Sequence, residues 1–239
     1  MDEKRIWFFG DSFCANESNW VKKLSEKTGS KIGNLGLGGA SLDHTLETIL
    51  NNVNSIKKND TVIVCFTSSK RHYFKGRNLR LHQLISPEED FVTWDKNKGH
   101  YVPVPAVVQN AYKEFETHLY TEHLEDLKHN IVLNHIINDI LPNLKTKNVV
   151  YFSSMEDFPE EYTFFKHSQS IICKPFWHIA IDFLGAKYGT KVMENWEEFN
   201  KILLIETTKD NHFLDDPEYK TYWWKELNPV LNLINIQVN

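Results

Sequence analysis

At 239 residues, with 41% hydrophobic and 25% charged side chains, the chain is long enough for one sizeable core and requires no second domain. A net charge of −5 and an isoelectric point near 6.1 give no general reason to expect nucleic acid as a partner. No apolar run approaches the ~20 residues that span a bilayer.

The predicted elements alternate through the first third of the chain. Arg5–Phe9 reads as a buried strand, Asn19–Lys27 as a short helix and Lys31–Leu35 as a second strand. Leu42, Leu46, Ile49, Leu50 and Val53 recur at helical spacing and predict a helix over Leu42–Ile56, followed by the apolar strand Asp60–Phe66. Strands that are continuous apolar runs are covered on both faces, so a parallel sheet is the economical expectation. Residues 72–108 break the rhythm: prolines at 87, 103 and 105 and scattered aromatics mark an elaborated insertion, not a linker. A long helix is predicted from Gln109 to Ile140, its apolar stripe running through Phe115, Leu119, Leu124, Leu127, Ile131, Ile136, Ile137 and Ile140, with Pro142 ending it. Asn148–Phe152 is the next strand, Trp196–Ile205 fits helix or strand, and Tyr219–Ile234 reads as a closing helix. No repeat or low-complexity tract interrupts this pattern, so residues 1–239 form a single domain.

Ile6 to Phe9 is too short for the apolar core of a secretory signal, and Gly10 and Asp11 follow at once. The three cysteines, Cys14, Cys65 and Cys173, are odd in number, far apart and without a CxxC pair. They read as reduced thiols, and the expected location is cytoplasmic. The basic residues Lys70, Arg71, Lys75, Arg77 and Arg80 read as a solvated loop.

Three stretches carry chemistry. Gly10-Asp11-Ser12 follows the first strand, at the kind of sheet edge where parallel α/β proteins bind ligands. Glycine allows a sharp turn, and the hydroxyl then stands beside backbone N–H groups, which is what a serine nucleophile needs. The plainer alternative is a helix N-cap. "NLGLGGAS", residues 34–41, again lies between strand and helix. Its glycines lack the spacing of a dinucleotide fingerprint, whose last glycine would fall at Ser41, but a backbone N–H there suits an oxyanion hole. In "KDNHFLDDPEY", residues 209–219, His212 lies among acids that could fix its tautomer, which makes it a better base than an isolated histidine.

Together these stretches resemble the SGNH, or GDSL-like, hydrolase family. Gly10-Asp11-Ser12 matches its first block, and Asn34-Leu-Gly36-Leu-Gly38-Gly39 matches its Asn-x-Gly-x-x-Gly block. The resemblance implies an α/β fold, a three-layer α/β/α domain with a flavodoxin-like parallel sheet. It implies Ser12 as nucleophile, His212 as base, and the backbone N–H groups of Ser12 and Gly39 as oxyanion donors.

Two blocks depart from the pattern. Where Gly-x-Asn-Asp should follow the third strand, the chain reads Phe66-Thr67-Ser68-Ser69-Lys70-Arg71, so Ser68 takes the asparagine's place and its hydroxyl can still donate. Asp11 and Arg71 are further candidates for substrate contact, although Arg71 reads first as a surface residue. Where Asp-x-x-His is expected, Lys209 stands three residues before His212. The orienting acid is then Asp210, or Asp215 or Asp216, or the site runs as a serine–histidine dyad.

Metal and cofactor are not expected. His118, Glu122, His129 and His135 lie along the long helix without metal-ligand spacing and read as a solvated face, while Tyr222-Trp223-Trp224 reads as helix packing. The expected function is a serine esterase that removes an acyl group, acetyl first among them, from a carbohydrate or other small polar ester. Its partner is then a small-molecule or glycan ester. The alternatives are a binding or structural protein of the same fold, as in glycan recognition or a larger assembly, and a carbohydrate O-acyltransferase.

Overall fold

The computed structural model describes residues 3–15, 19–68, 71–74, 77–81, 91–95, 100–103, 105–107, 110–111, 122–154 and 175–188, with positions 218, 220, 221 and 225. Four strands form a parallel sheet: β1 (Arg5–Phe9), β2 (Lys31–Asn34), β3 (Thr61–Phe66) and β8 (Asn148–Ser153), in the order β2-β1-β3-β8. All six residues of β3 are buried, which is why its sequence is apolar without alternation. The expected strands therefore exist within one or two residues of their predicted ends.

Side chains alternate between the two faces of this sheet. Trp7, Phe9, Val62, Val64, Phe66 and Tyr151 join one core with Leu42 and Ile49 of α2 (Leu42–Asn52) and with the segment 133–144. On the other side, Trp20 of α1 (Asn19–Thr28) meets Phe8 and Phe152 edge-on at 5.5 and 6.1 Å. The chain first steps outward from β1 to β2, then returns across β1 to β3. The carboxyl ends of β1 and β3 thus flank the point where the strand order reverses, the place where open α/β sheets form a crevice.

The opposite, amino-terminal edge is tied by one buried carboxylate. Asp60 accepts hydrogen bonds from the Arg5 N–H (3.0 Å), the Trp7 indole (2.9 Å) and the Lys57 N–H (2.9 Å). Its carbonyl accepts from Thr146 and Asn148, so one residue joins β1, β3 and the approach to β8.

Between β3 and the later helix lies a second, antiparallel sheet in the order β4 (Arg71–Phe74), β5 (Arg77–Leu81), β6 (Phe91–Asp95) and β7 (His100–Pro103). The sequence marked this segment as elaborated without resolving its strands.

The long helix departs from expectation in phase and form. Its described part is α3 (Glu122–Asn134), continued by a π-helical turn over His135–Ile140 and a 3₁₀ turn over Leu141–Asn143. Leu127 and Ile131, expected in the stripe, are 45% and 59% exposed, whereas Leu133, Ile136, Ile137 and Ile140 are buried. Leu133, Ile136, Ile137 and Ile140 follow helical spacing on one face, and Ile131, two residues before Leu133, lies on the opposite side of the helix. Leu50 is likewise exposed, and α2 ends at Asn52 instead of Ile56. The sequence reading missed α4 (Phe176–Tyr188), whose Ile179, Ala180, Ile181, Phe183 and Leu184 are all buried. Among the described residues no helix is long and apolar enough to cross a membrane.

Candidate active site

β1 leaves the sheet through Gly10, whose φ of 143° suits no other residue. A Cβ there would stand 2.4 Å from the Cys65 carbonyl oxygen, so the turn passes directly against β3. Asp11 then caps a 3₁₀ turn over Ser12–Cys14: its Oδ1 accepts from the Phe13 N–H at 3.0 Å, and its carbonyl accepts from the Cys14 N–H at 3.0 Å. The nucleophile and N-cap readings of this tripeptide are thereby compatible, because the cap is Asp11 and the candidate nucleophile is the residue after it. Ser12 is half-buried.

The second block is fastened to the same turn by its backbone. The Gly36 N–H donates to the Cys14 carbonyl at 2.9 Å and the Leu37 N–H to the Gly10 carbonyl at 3.0 Å. Gly36 has to be glycine, since a Cβ would lie 2.6 Å from the Asp11 carbonyl oxygen. The Asn34 amide donates to the Phe8 carbonyl at 2.7 Å and so fixes where this loop begins. A turn closed by Ala40 N–H on the Leu37 carbonyl contains buried Gly39, with φ 74°, and Ser41 caps α2 through the His44 N–H.

From the end of β3 come Thr67 and Ser68, both buried. The Ser68 carbonyl accepts from the Arg71 N–H at 3.2 Å. That turn sends Arg71 inward, contrary to the solvated loop expected for it. Its guanidinium Nη1 donates to Asp11 Oδ2 at 2.8 Å, with side-chain exposures of 2% and 0% for the pair. The two candidates for substrate contact are thus joined to each other in an internal ion pair. Asp11 caps the Ser12 turn inside the core, and the guanidinium offsets the cost of burying its carboxylate there.

Two cysteines line the same spot. The Cys65 thiol donates to Asp11 Oδ1 at 3.7 Å, and both Cys14 and Cys65 are fully buried. Burial, reinforced by the Asp11 charge, pushes the Cys14 thiol up, and burial pushes Cys65 well up. Both remain thiols at neutral pH and are poor nucleophiles. Of the three hydroxyl and thiol groups at Ser12, Cys14 and Cys65, Ser12 is the accessible one.

His212, Asp210, Asp215 and Asp216 lie outside the described residues. Among the described residues no group of three or more His, Cys, Asp or Glu is arranged to hold a metal ion. His135 is exposed and pairs with Asp139 at 2.8 Å on its own helix. Sequence reasoning missed the internal role of Arg71. The signal available was a carboxylate in a turn that follows a strongly apolar strand, for which a nearby arginine is one partner. No protein-family model matches the chain, and no curated protein matches it.

Proposed function

We propose that the chain is a serine esterase of the SGNH, or GDSL-like, type, a three-layer α/β/α domain of flavodoxin-like topology with residues 72–108 as an insertion. Its substrate is a carbohydrate or other small polar ester, acetyl being the first acyl group to test. The reading is carried by one observation. A half-buried serine sits on a glycine turn at the strand-order reversal, with the 34–41 loop hydrogen-bonded onto that turn.

In this mechanism Ser12 Oγ attacks the ester carbonyl carbon while His212, oriented by Asp210, accepts its proton. The oxyanion is held by the N–H groups of Ser12 and Gly39 and by the Ser68 hydroxyl. The C–O bond to the alcohol breaks as His212 returns the proton to the leaving oxygen. Water, deprotonated by His212, then attacks the acyl-serine, which releases the carboxylic acid and restores Ser12.

The test is incubation with p-nitrophenyl acetate and with a fluorophosphonate probe, wild type against Ser12→Ala. Nitrophenol release and a probe adduct on the Ser12 peptide, both abolished by the substitution, are expected. A folded wild type with neither refutes the esterase.

A further inference from the structure

We propose that Arg71 is a positioning residue for Ser12: by neutralising Asp11 it lets a buried carboxylate shape the nucleophile turn without opposing the charge that develops there. This rests on Ser12 being the nucleophile.

Asp11 serves the turn directly, because its Oδ1 holds the N–H of Phe13, the residue after Ser12. It also brings a full negative charge, wholly buried, one residue from the attacking oxygen. Acyl transfer places a second negative charge on the oxyanion at the same turn. Between a buried carboxylate and a charge formed on a half-buried turn the repulsion is only partly screened by solvent. Among the described residues, the titratable groups facing Asp11 are Cys14 from its own turn, Cys65 from β3 and Arg71 at the start of β4. Both thiols are neutral, so among the described residues facing this carboxylate Arg71 supplies the compensating charge. A lattice of donors alone would hold the turn's shape, but only a cation removes its field.

The source of the cation is also informative. Arg71 stands where the turn after β3 passes into the antiparallel sheet, and it pairs with Arg80 of β5. The chain segment that would carry an asparagine donor in the resembled family here delivers a guanidinium to the first turn. The small sheet is thereby anchored to the nucleophile turn through a buried ion pair.

The experiment compares wild type, Arg71→Gln, Arg71→Lys and the double variant Asp11→Asn/Arg71→Gln. Each is checked for folding by circular dichroism, then assayed for fluorophosphonate labelling of Ser12 and for kcat and KM on p-nitrophenyl acetate. Arg71→Gln is expected to lower kcat and labelling by ~10²-fold, the size found when an oxyanion loses an electrostatic support, with KM little changed. The double variant keeps an amide oxygen for Phe13 and removes both charges. It is expected to label at least ~10-fold faster than Arg71→Gln, as removing both members of a buried pair spares the isolated charge. Arg71→Lys is expected to lie between Arg71→Gln and wild type. A folded Arg71→Gln as fast as wild type, or a double variant no faster than Arg71→Gln, overturns the proposal while leaving the esterase intact. If Arg71→Gln does not fold, the decision passes to Arg71→Lys and the double variant: folded and reactive supports the role, folded and inert overturns it. A folded wild type that leaves Ser12 unlabelled refutes the esterase itself, and the positioning role falls with it.

Discussion

Gly10→Ala probes the contact that places Ser12. The added Cβ would lie 2.4 Å from the Cys65 carbonyl oxygen and 2.8 Å from the Cys65 Cβ. Neither atom can rotate away, because both are fixed by the geometry of β3. Relief requires β1 and β3 to separate locally by about 1 Å, which strains the ladder just after the Phe9–Val64 pair. A non-glycine residue at φ 143° adds about 1–3 kcal/mol of backbone strain. One or two weakened ladder hydrogen bonds add about 1 kcal/mol each. The sum, about 2–5 kcal/mol, is a large part of the 5–15 kcal/mol that usually separates folded from unfolded chains.

For a chain of this size such a loss lowers the Tm by roughly 10 °C. Thermal unfolding followed by circular dichroism measures it, and the labelling rate of Ser12 should fall in the surviving folded protein. Gly29→Ala is the control. Gly29 has φ 60° but nothing within 4 Å of an added Cβ, so it bears backbone strain without the clash. Its Tm loss should be clearly the smaller. Equal losses for the two variants, or a Gly10→Ala Tm within a degree or two of wild type, would refute the close-approach argument.

Other outcomes follow from the same geometry. Asp60→Ala leaves the Arg5, Trp7 and Lys57 N–H donors without their acceptor and should cost about 3–5 kcal/mol in urea unfolding, with the buried Trp7 indole the largest part. Cys14 and Cys65 titrate higher in the folded state than in the unfolded one, so their contribution is intact below the ordinary thiol range. Stability should then fall as the pH rises above about 8.5, and Cys65→Ala should flatten that decline in unfolding measured at pH 8 and 10. Ser68→Asn should raise esterase kcat if a side-chain amide improves on the hydroxyl, and an unchanged rate would place the third donor elsewhere. Asp210→Asn should leave the circular dichroism spectrum unchanged and lower kcat by up to ~10⁴; a silent Asp210→Asn beside a severe His212→Ala would point to another acid or to a dyad.

The parallel sheet was legible because β1, β3 and β8 are apolar runs bounded by turn residues, and both glycine blocks fall where strands end. What was not legible has identifiable causes. α4 is apolar nearly all round, so no helical period stands out, although Pro175 before Phe176 is a helix-opening signal that was available. Leu127 and Ile131 were misplaced because apolar residues occur on both faces of this helix, and the buried face is the one that carries Leu133, Ile136, Ile137 and Ile140. The small sheet pairs Arg71 with Arg80 and Phe74 with Arg77 in strands too short and too charged to alternate cleanly. Arg71 itself was hidden by its neighbours, since a lone arginine in a basic run looks solvated until Asp11 is known to lie inside.

The turn Ser68–Arg71 links two of these tests in a way that decides how they are read. Ser68 bears the candidate third oxyanion donor, and its carbonyl accepts the N–H of the residue whose guanidinium meets Asp11. Residues joined by one hydrogen bond do not respond independently, so Ser68→Asn and Arg71→Gln should not add. If an asparagine at 68 crowds the buried turn, Arg71 withdraws from Asp11, and a rate lost through the ion pair would mask one gained at the oxyanion. Combining Ser68→Asn with the charge-free pair Asp11→Asn/Arg71→Gln separates the two effects, because there is then no ion pair to disturb. A gain from asparagine in that background, but not in wild type, would show that the turn cannot serve both roles with the amide present. Serine at 68 is then the residue small enough to keep the hydroxyl at the site and the arginine on its carboxylate.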